Sequence, residues 1–197
     1  MNEENLNEEL LKQIKSLIPY VIAVGLVVGG YYGVKNYLAG RQTAATAAVT
    51  NSVTTDDAET AVANFGDSPA GGVLNLQLAK RYFDDGRYEE ALAVYEKLSE
   101  QSPDGFADVP VVGKAQCLEA LGKYAEARQA YESYLAGAPA DYLKMTAKLG
   151  AIRATALAGE KDAALKQLAE LKEMVKTDPA AFGRVTTLEE AINRGVK

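Results

Sequence analysis

The sequence predicts an all-α protein, with a single N-terminal transmembrane helix followed by a stack of about three helix pairs. Three observations carry that reading. An uncharged apolar run fills residues 16–34; glycine-led turns recur at Gly86, Gly122 and Gly159; and after each turn small and large apolar residues return at spacings that share one helical face.

Composition excludes several function classes. The 197 residues include 27 Asp and Glu, 21 Lys and Arg, one Cys, no His and no Trp. Without His, chemistry that needs imidazole as base, proton shuttle or metal ligand is excluded. Cys117 alone forms neither a disulfide nor a zinc site within the chain, so no metal or cofactor is expected. In residues 1–41 the four acids Glu3, Glu4, Glu8 and Glu9 cancel the four bases Lys12, Lys15, Lys35 and Arg41, so the net charge of -6 is carried by residues 42–197. That body repels phosphate backbones, which argues against a nucleic-acid partner.

Residues 1–15 read as an acidic N-terminal segment and residues 16–38 as a membrane anchor. The nineteen residues of 16–34 would span about 28 Å as a helix, against about 30 Å of hydrocarbon. Pro19 falls in the first turn, and Tyr20 at one end with Tyr31, Tyr32 and Tyr37 at the other suit the two interfaces. A cleaved signal peptide would want a basic lead and a nearby small-x-small site; here the lead is acidic, and Ala45-Thr46-Ala47 lies more than ten residues beyond the run. Lys12 and Lys15 balance Lys35 and Arg41, so charge leaves the orientation open. Gly25, Gly29 and Gly33 recur on one face, a spacing that lets a second helix approach closely and suggests a homodimer or a helical partner in the membrane; the plainer alternative is that glycine is common in such helices.

Residues 39–72 are rich in Ala, Thr and Gly and read as a linker, with a short helix near 56–64 ahead of the breaks at Gly66, Pro69, Gly71 and Gly72. Residues 73–197 hold the repeats, near 72–105, 108–141 and 145–178. Gly86, Gly122 and Gly159 are each followed by Ala five positions on (Ala91, Ala127, Ala164) and by a large residue nine on (Tyr95, Tyr131, Leu168) and twelve on (Leu98, Tyr134, Leu171). Pro103 and Pro139 close two units. Thr187 followed by Glu190 is a capping-box pattern that predicts a terminal helix near 187–194. A lone helix pair leaves its apolar stripe uncovered, so stacking is what stabilises each unit.

These turns resemble tetratricopeptide repeats: Gly-x-Tyr at Gly86-Arg87-Tyr88 and Gly122-Lys123-Tyr124, a small Ala at the helix crossing, an aromatic four residues later and a terminal Pro. Leu78, Ala79 and Tyr82, then Ala115 and Leu118, stand at helix A positions. The chain departs from the pattern in having no Trp, in Ala79 and Ala115 where the family has glycine, and in Lys161 at the third turn aromatic. The resemblance implies a right-handed solenoid whose inner helices line a concave peptide groove. Positions mapping to it are Leu76, Lys80 and Phe83, then Val112, Gln116 and Glu119, then Leu149 and Arg153. The Asn and Lys/Arg cluster that grips C-terminal tails in one class of these repeats is lacking, which disfavours that ligand.

No catalytic residue is expected. Asp56-Asp57, Asp84-Asp85 and Glu89-Glu90 are sequence neighbours that point about 100° apart on a helix. Cys117 lies among apolar residues with no His to activate it, and Gly71-Gly72 lacks the ending of a phosphate loop. The whole layout, an acidic lead, one Gly-rich span, a linker and degenerate repeats, resembles the ancillary translocon subunit family (YfgM-like). That resemblance implies a single-pass protein of the bacterial inner membrane with its repeat domain in the periplasm. Its implied partners are Sec translocon subunits, periplasmic chaperones or secreted polypeptides. An envelope-assembly adaptor and a structural membrane oligomer are the alternatives.

Overall fold

The glycine turns organise the fold. In the computed structural model residues 3–101, 108–137 and 139–195 are described, with side chains at Tyr20 and from Ala23 onward save Gln101. The chain divides into two units, residues 1–47 and 48–197. Among the described residues there are nine helices: α1 (Glu3–Asn51), α2 (Thr55–Phe65), α3 (Gly71–Asp84), α4 (Tyr88–Gln101), α5 (Asp108–Ala120), α6 (Tyr124–Ala136), α7 (Asp141–Leu157), α8 (Lys161–Met174) and α9 (Pro179–Arg194).

In the first unit α1 leaves Leu26, Val27, Tyr31, Tyr32 and Tyr37 exposed. A Cβ added at Gly25, Gly29 or Gly33 would meet nothing within 4 Å. Among the described residues no helix is long and apolar enough to cross a membrane. The expected span begins on residues 16–19, 21 and 22, whose side chains lie outside the described set, as do those of the acidic segment 1–15. The helix runs on to Asn51 through the stretch expected to be linker. Alanine is the best helix former, and Thr43 and Thr46 turn their hydroxyls onto the carbonyls of Ala39 and Gln42, at 3.0 and 2.9 Å.

In the second unit α2 starts on a reciprocal cap. The Thr54 hydroxyl accepts from the Asp57 N–H at 3.1 Å while the Asp57 carboxylate accepts from the Thr54 N–H at 2.9 Å, which holds that carboxyl below its ordinary pKa. Gln77 of α3 donates to Val49 O in the last turn of α1 at 3.1 Å, and the Arg81 guanidinium donates to Ser52 O and Val53 O, the two residues that follow α1.

The three repeat turns are one motif made three times. Gly86, Gly122 and Gly159 have φ of 76°, 75° and 93°, a left-handed conformation that glycine adopts without Cβ strain. At each, the glycine N–H bonds the carbonyl three residues back, and the next N–H bonds five back: Arg87 to Tyr82 O at 2.8 Å, Lys123 to Leu118 O at 2.9 Å, Glu160 to Thr155 O at 3.1 Å. The residue after the glycine then accepts from the crossing alanine, Ala91, Ala127 or Ala164, each fully buried. At the third turn Lys161, in place of the aromatic, donates to Asn193 O of α9 at 3.3 Å.

Helix contacts arrange the units as two rows. Each of α3, α5, α7 and α9 touches the next of that set, whereas α4, α6 and α8 touch only their chain neighbours. The four odd helices therefore form a continuous inner wall. Between units, the Tyr95 ring lies over Gly113 and the Tyr131 ring over Gly150, so close that an added Cβ would come within 2.7 and 2.5 Å of ring carbons. At the third junction Leu168 packs instead with Val185 and Leu188 of α9. That last helix begins at Pro179, well before the expected 187, because Asp178 caps it: its carboxylate accepts from the N–H groups of Ala180 and Ala181 at 3.0 and 3.1 Å. Thr187 lies inside the helix and donates to Gly183 O at 2.9 Å, so its capping-box spacing marks no boundary. Pro103 falls outside the described residues.

Candidate functional site: the inner-helix groove

The inner wall carries three adjoining cavities that meet at Gln116. The first, about 490 Å³, is lined by Phe83, Gln116, Glu119, Ala120, Tyr124, Arg153 and Leu157. The second, about 380 Å³, shares Phe83 and Gln116 and adds Lys80, Asp84, Val112, Leu143 and Thr146 among others. The third, about 730 Å³, shares Gln116, Thr146 and Arg153 and runs on to α9. Together they form one groove along α3, α5, α7 and α9. Gln116 stands at its centre, half-buried, and its amide makes no hydrogen bond among the described residues.

Seven of the eight residues expected to line such a groove, Lys80, Phe83, Val112, Gln116, Glu119, Leu149 and Arg153, line these cavities. Leu76 does not; it packs against the buried cluster of Ala79, Ala91, Tyr95 and Cys117. Val112 and Leu149 are buried and offer only an apolar floor.

Glu119 and Arg153 are bound to one another. The guanidinium grips the carboxylate in a two-point pair, Nη2 to Oε2 at 2.9 Å with Nε on Oε1, and joins α5 to α7 at the groove floor. The Tyr131 hydroxyl donates to Glu119 Oε2 at 3.4 Å; burial, followed by the neighbouring carboxylate, raises that phenol's pKa well above the ordinary value, so it stays protonated. The hydrogen bond to Glu119 likewise strengthens the charge on Arg153. Lys80 pairs with Asp84 one turn on, at 2.7 Å, on an exposed edge where such a pair is weak. The groove thus offers a rigid salt-bridged floor, the aromatic edges of Phe83 and Tyr124, and the open amide of Gln116.

The missed lining residues fall in two groups. Tyr124, Thr146 and Leu157 lie on helices already assigned to repeats, and the three-and-four spacing of Thr146, Leu149, Arg153 and Leu157 marks a single face of α7. Pro179, Gly183, Arg184, Thr187 and Ala191 belong to α9, whose first two turns lie ahead of the start that the Thr187-x-x-Glu190 spacing predicts. Cys117, behind the groove, is fully buried, and burial pushes its thiol up to about 12, so it carries no thiolate at neutral pH. Among the described residues no group of three or more His, Cys, Asp or Glu could hold a metal ion.

No curated protein and no solved structure gives a significant match to the chain. Residues 82–149, from the end of α3 to the middle of α7, match the tetratricopeptide repeat family model.

Proposed function

We propose that the protein is a membrane-anchored, non-catalytic scaffold that holds an extended or helical protein segment in the groove of α3, α5, α7 and α9. The observation that carries this is the continuity of the three cavities through Gln116, a length of surface suited to a peptide rather than to one small molecule. Residues 16–38 serve as the anchor. What supports the anchor is the uncharged stretch 16–34 of the sequence, within which Leu26 and Val27 are each 72% exposed and Tyr31 63% exposed, apolar surface better covered by lipid than by water. By its layout the protein belongs at the bacterial inner membrane with the repeats in the periplasm, assisting secreted polypeptides beside the Sec translocon and chaperones.

A photoreactive residue in place of Phe83 in the full-length protein, activated in cells, tests the assignment by mass spectrometry of the adducts. Translocon subunits, chaperones or many secreted chains are the expected adducts. One unrelated envelope complex would make the protein an assembly adaptor. A structural oligomer is the second reading, favoured by the open faces of Gly25, Gly29 and Gly33; it would give adducts to the chain itself alone.

A further inference from the structure

The α9 end of the groove differs in charge from the rest of this acidic protein. The 730 Å³ cavity there has an apolar floor of Leu149, Leu188 and Ala191 and is rimmed by Arg153 and Arg184, and among the described residues no carboxylate lines it. Its volume lies within the roughly 300–1,000 Å³ of cavities that hold ligands. Arg153 is already matched by Glu119, whose carboxylate faces the neighbouring cavity around Phe83. Arg184 is not matched. It is exposed, its Nη2 donates to the Thr146 hydroxyl at 3.2 Å, and among the described residues it has no acidic partner. The nearby acids of α9 are engaged elsewhere, Glu189 with Lys172 at 2.6 Å and Glu190 with Arg194 at 3.9 Å. An unmatched guanidinium above an apolar floor suits a planar carboxylate next to an aliphatic side chain.

Resting on the groove reading above, we infer that the α5, α7 and α9 end of the groove selects acidic-apolar peptide segments: an Asp or Glu side chain bound by Arg184, with an adjacent Leu-sized residue on Leu149 and Leu188. Lys80 at the opposite end is neutralised by Asp84, so the selection is confined to this end.

The test is selection of a random dodecapeptide library, displayed with its C-termini fused, on the full-length protein, followed by binding of selected synthetic peptides to the wild type, Arg184→Gln and Arg184→Lys. Fusion removes terminal carboxylates, so any acid enriched is a side chain. The expected result is enrichment of Asp or Glu beside Leu, Ile or Phe. Binding should weaken about tenfold in Arg184→Gln, the loss of one charge-assisted contact, be only partly recovered in Arg184→Lys, which keeps the charge but not the planar fork, and weaken as salt rises. Enrichment of neutral or basic peptides that bind Arg184→Gln as well as wild type would overturn the inference and leave the groove reading standing. Failure to enrich any peptide would overturn both. Arg184 is exposed, so an unchanged melting temperature and helical content in Arg184→Gln assign the loss to the contact.

Discussion

At Gly150 the absence of one methyl group sets how closely two repeats approach, because the Tyr131 ring occupies the space a Cβ would need, and Tyr95 does the same at Gly113. Gly150→Ala should therefore force the ring or the helix to shift and destabilise the fold by about 1–3 kcal/mol, the usual range for overpacking. Gly183 makes a matched control: it too is helical, but an added Cβ meets nothing within 4 Å. Gly183→Ala should stabilise by about 0.5–1 kcal/mol through helix propensity. Thermal or denaturant unfolding of the two variants checks the contrast, and equal shifts would contradict this packing. Cys117 supplies a second prediction at this scale. With its thiol pushed up to about 12 by burial, it should resist a thiol reagent near pH 8 in the native protein and react at once in denaturant, as followed by labelling kinetics.

Among the elements, α9 governs the integrity of the third repeat. Leu149, Ile152, Leu168 and Leu171 form one buried cluster with Val185, Leu188 and Ile192. A chain ending at Asp178 would expose that face of α7 and α8, and burial of each such aliphatic side chain stabilises by about 1.5–3 kcal/mol. Truncation should thus abolish protection of α8 in hydrogen exchange while α3 to α6 keep theirs, as expected where each unit leans on its neighbours; full protection of α8 would show that α9 is dispensable. The sequence made the repeat elements legible because the left-handed turn almost demands glycine, and three glycines 36 and 37 residues apart mark the turns directly. The start of α9 was equally visible in Asp178-Pro179, but the Thr187-x-x-Glu190 spacing matches a capping box even when its hydroxyl bonds a carbonyl within the helix. Ala and Thr in residues 42–51 read as a tether, since composition does not reveal that threonine hydroxyls are satisfied by the preceding turn. The ring-on-glycine junctions pair Tyr95 with Gly113 and Tyr131 with Gly150, 18 and 19 residues apart, and nothing local in the sequence ties such distant positions together.

For the whole molecule, the inner-wall groove joins a salt-bridged Glu119–Arg153 pair to apolar lining in a body with more acidic than basic side chains, so on the proposed function charge as well as apolar contact should decide which segments bind. Its lining was largely readable because repeat spacing fixes which face of each inner helix points inward. That Glu119 and Arg153 satisfy one another was not, since a sequence gives the two charges but not their meeting across α5 and α7. On the proposed function this inner wall, and not the outer row of α4, α6 and α8, is the binding surface. It is tested most directly by in-cell crosslinking of the full-length protein from a photoreactive residue at Gln116, compared with one at Gln129, which is exposed on α6 and lines none of the three cavities. Protein adducts from position 116 with few or none from 129 are the predicted result; equal yields from both, or adducts from 129 alone, would contradict it.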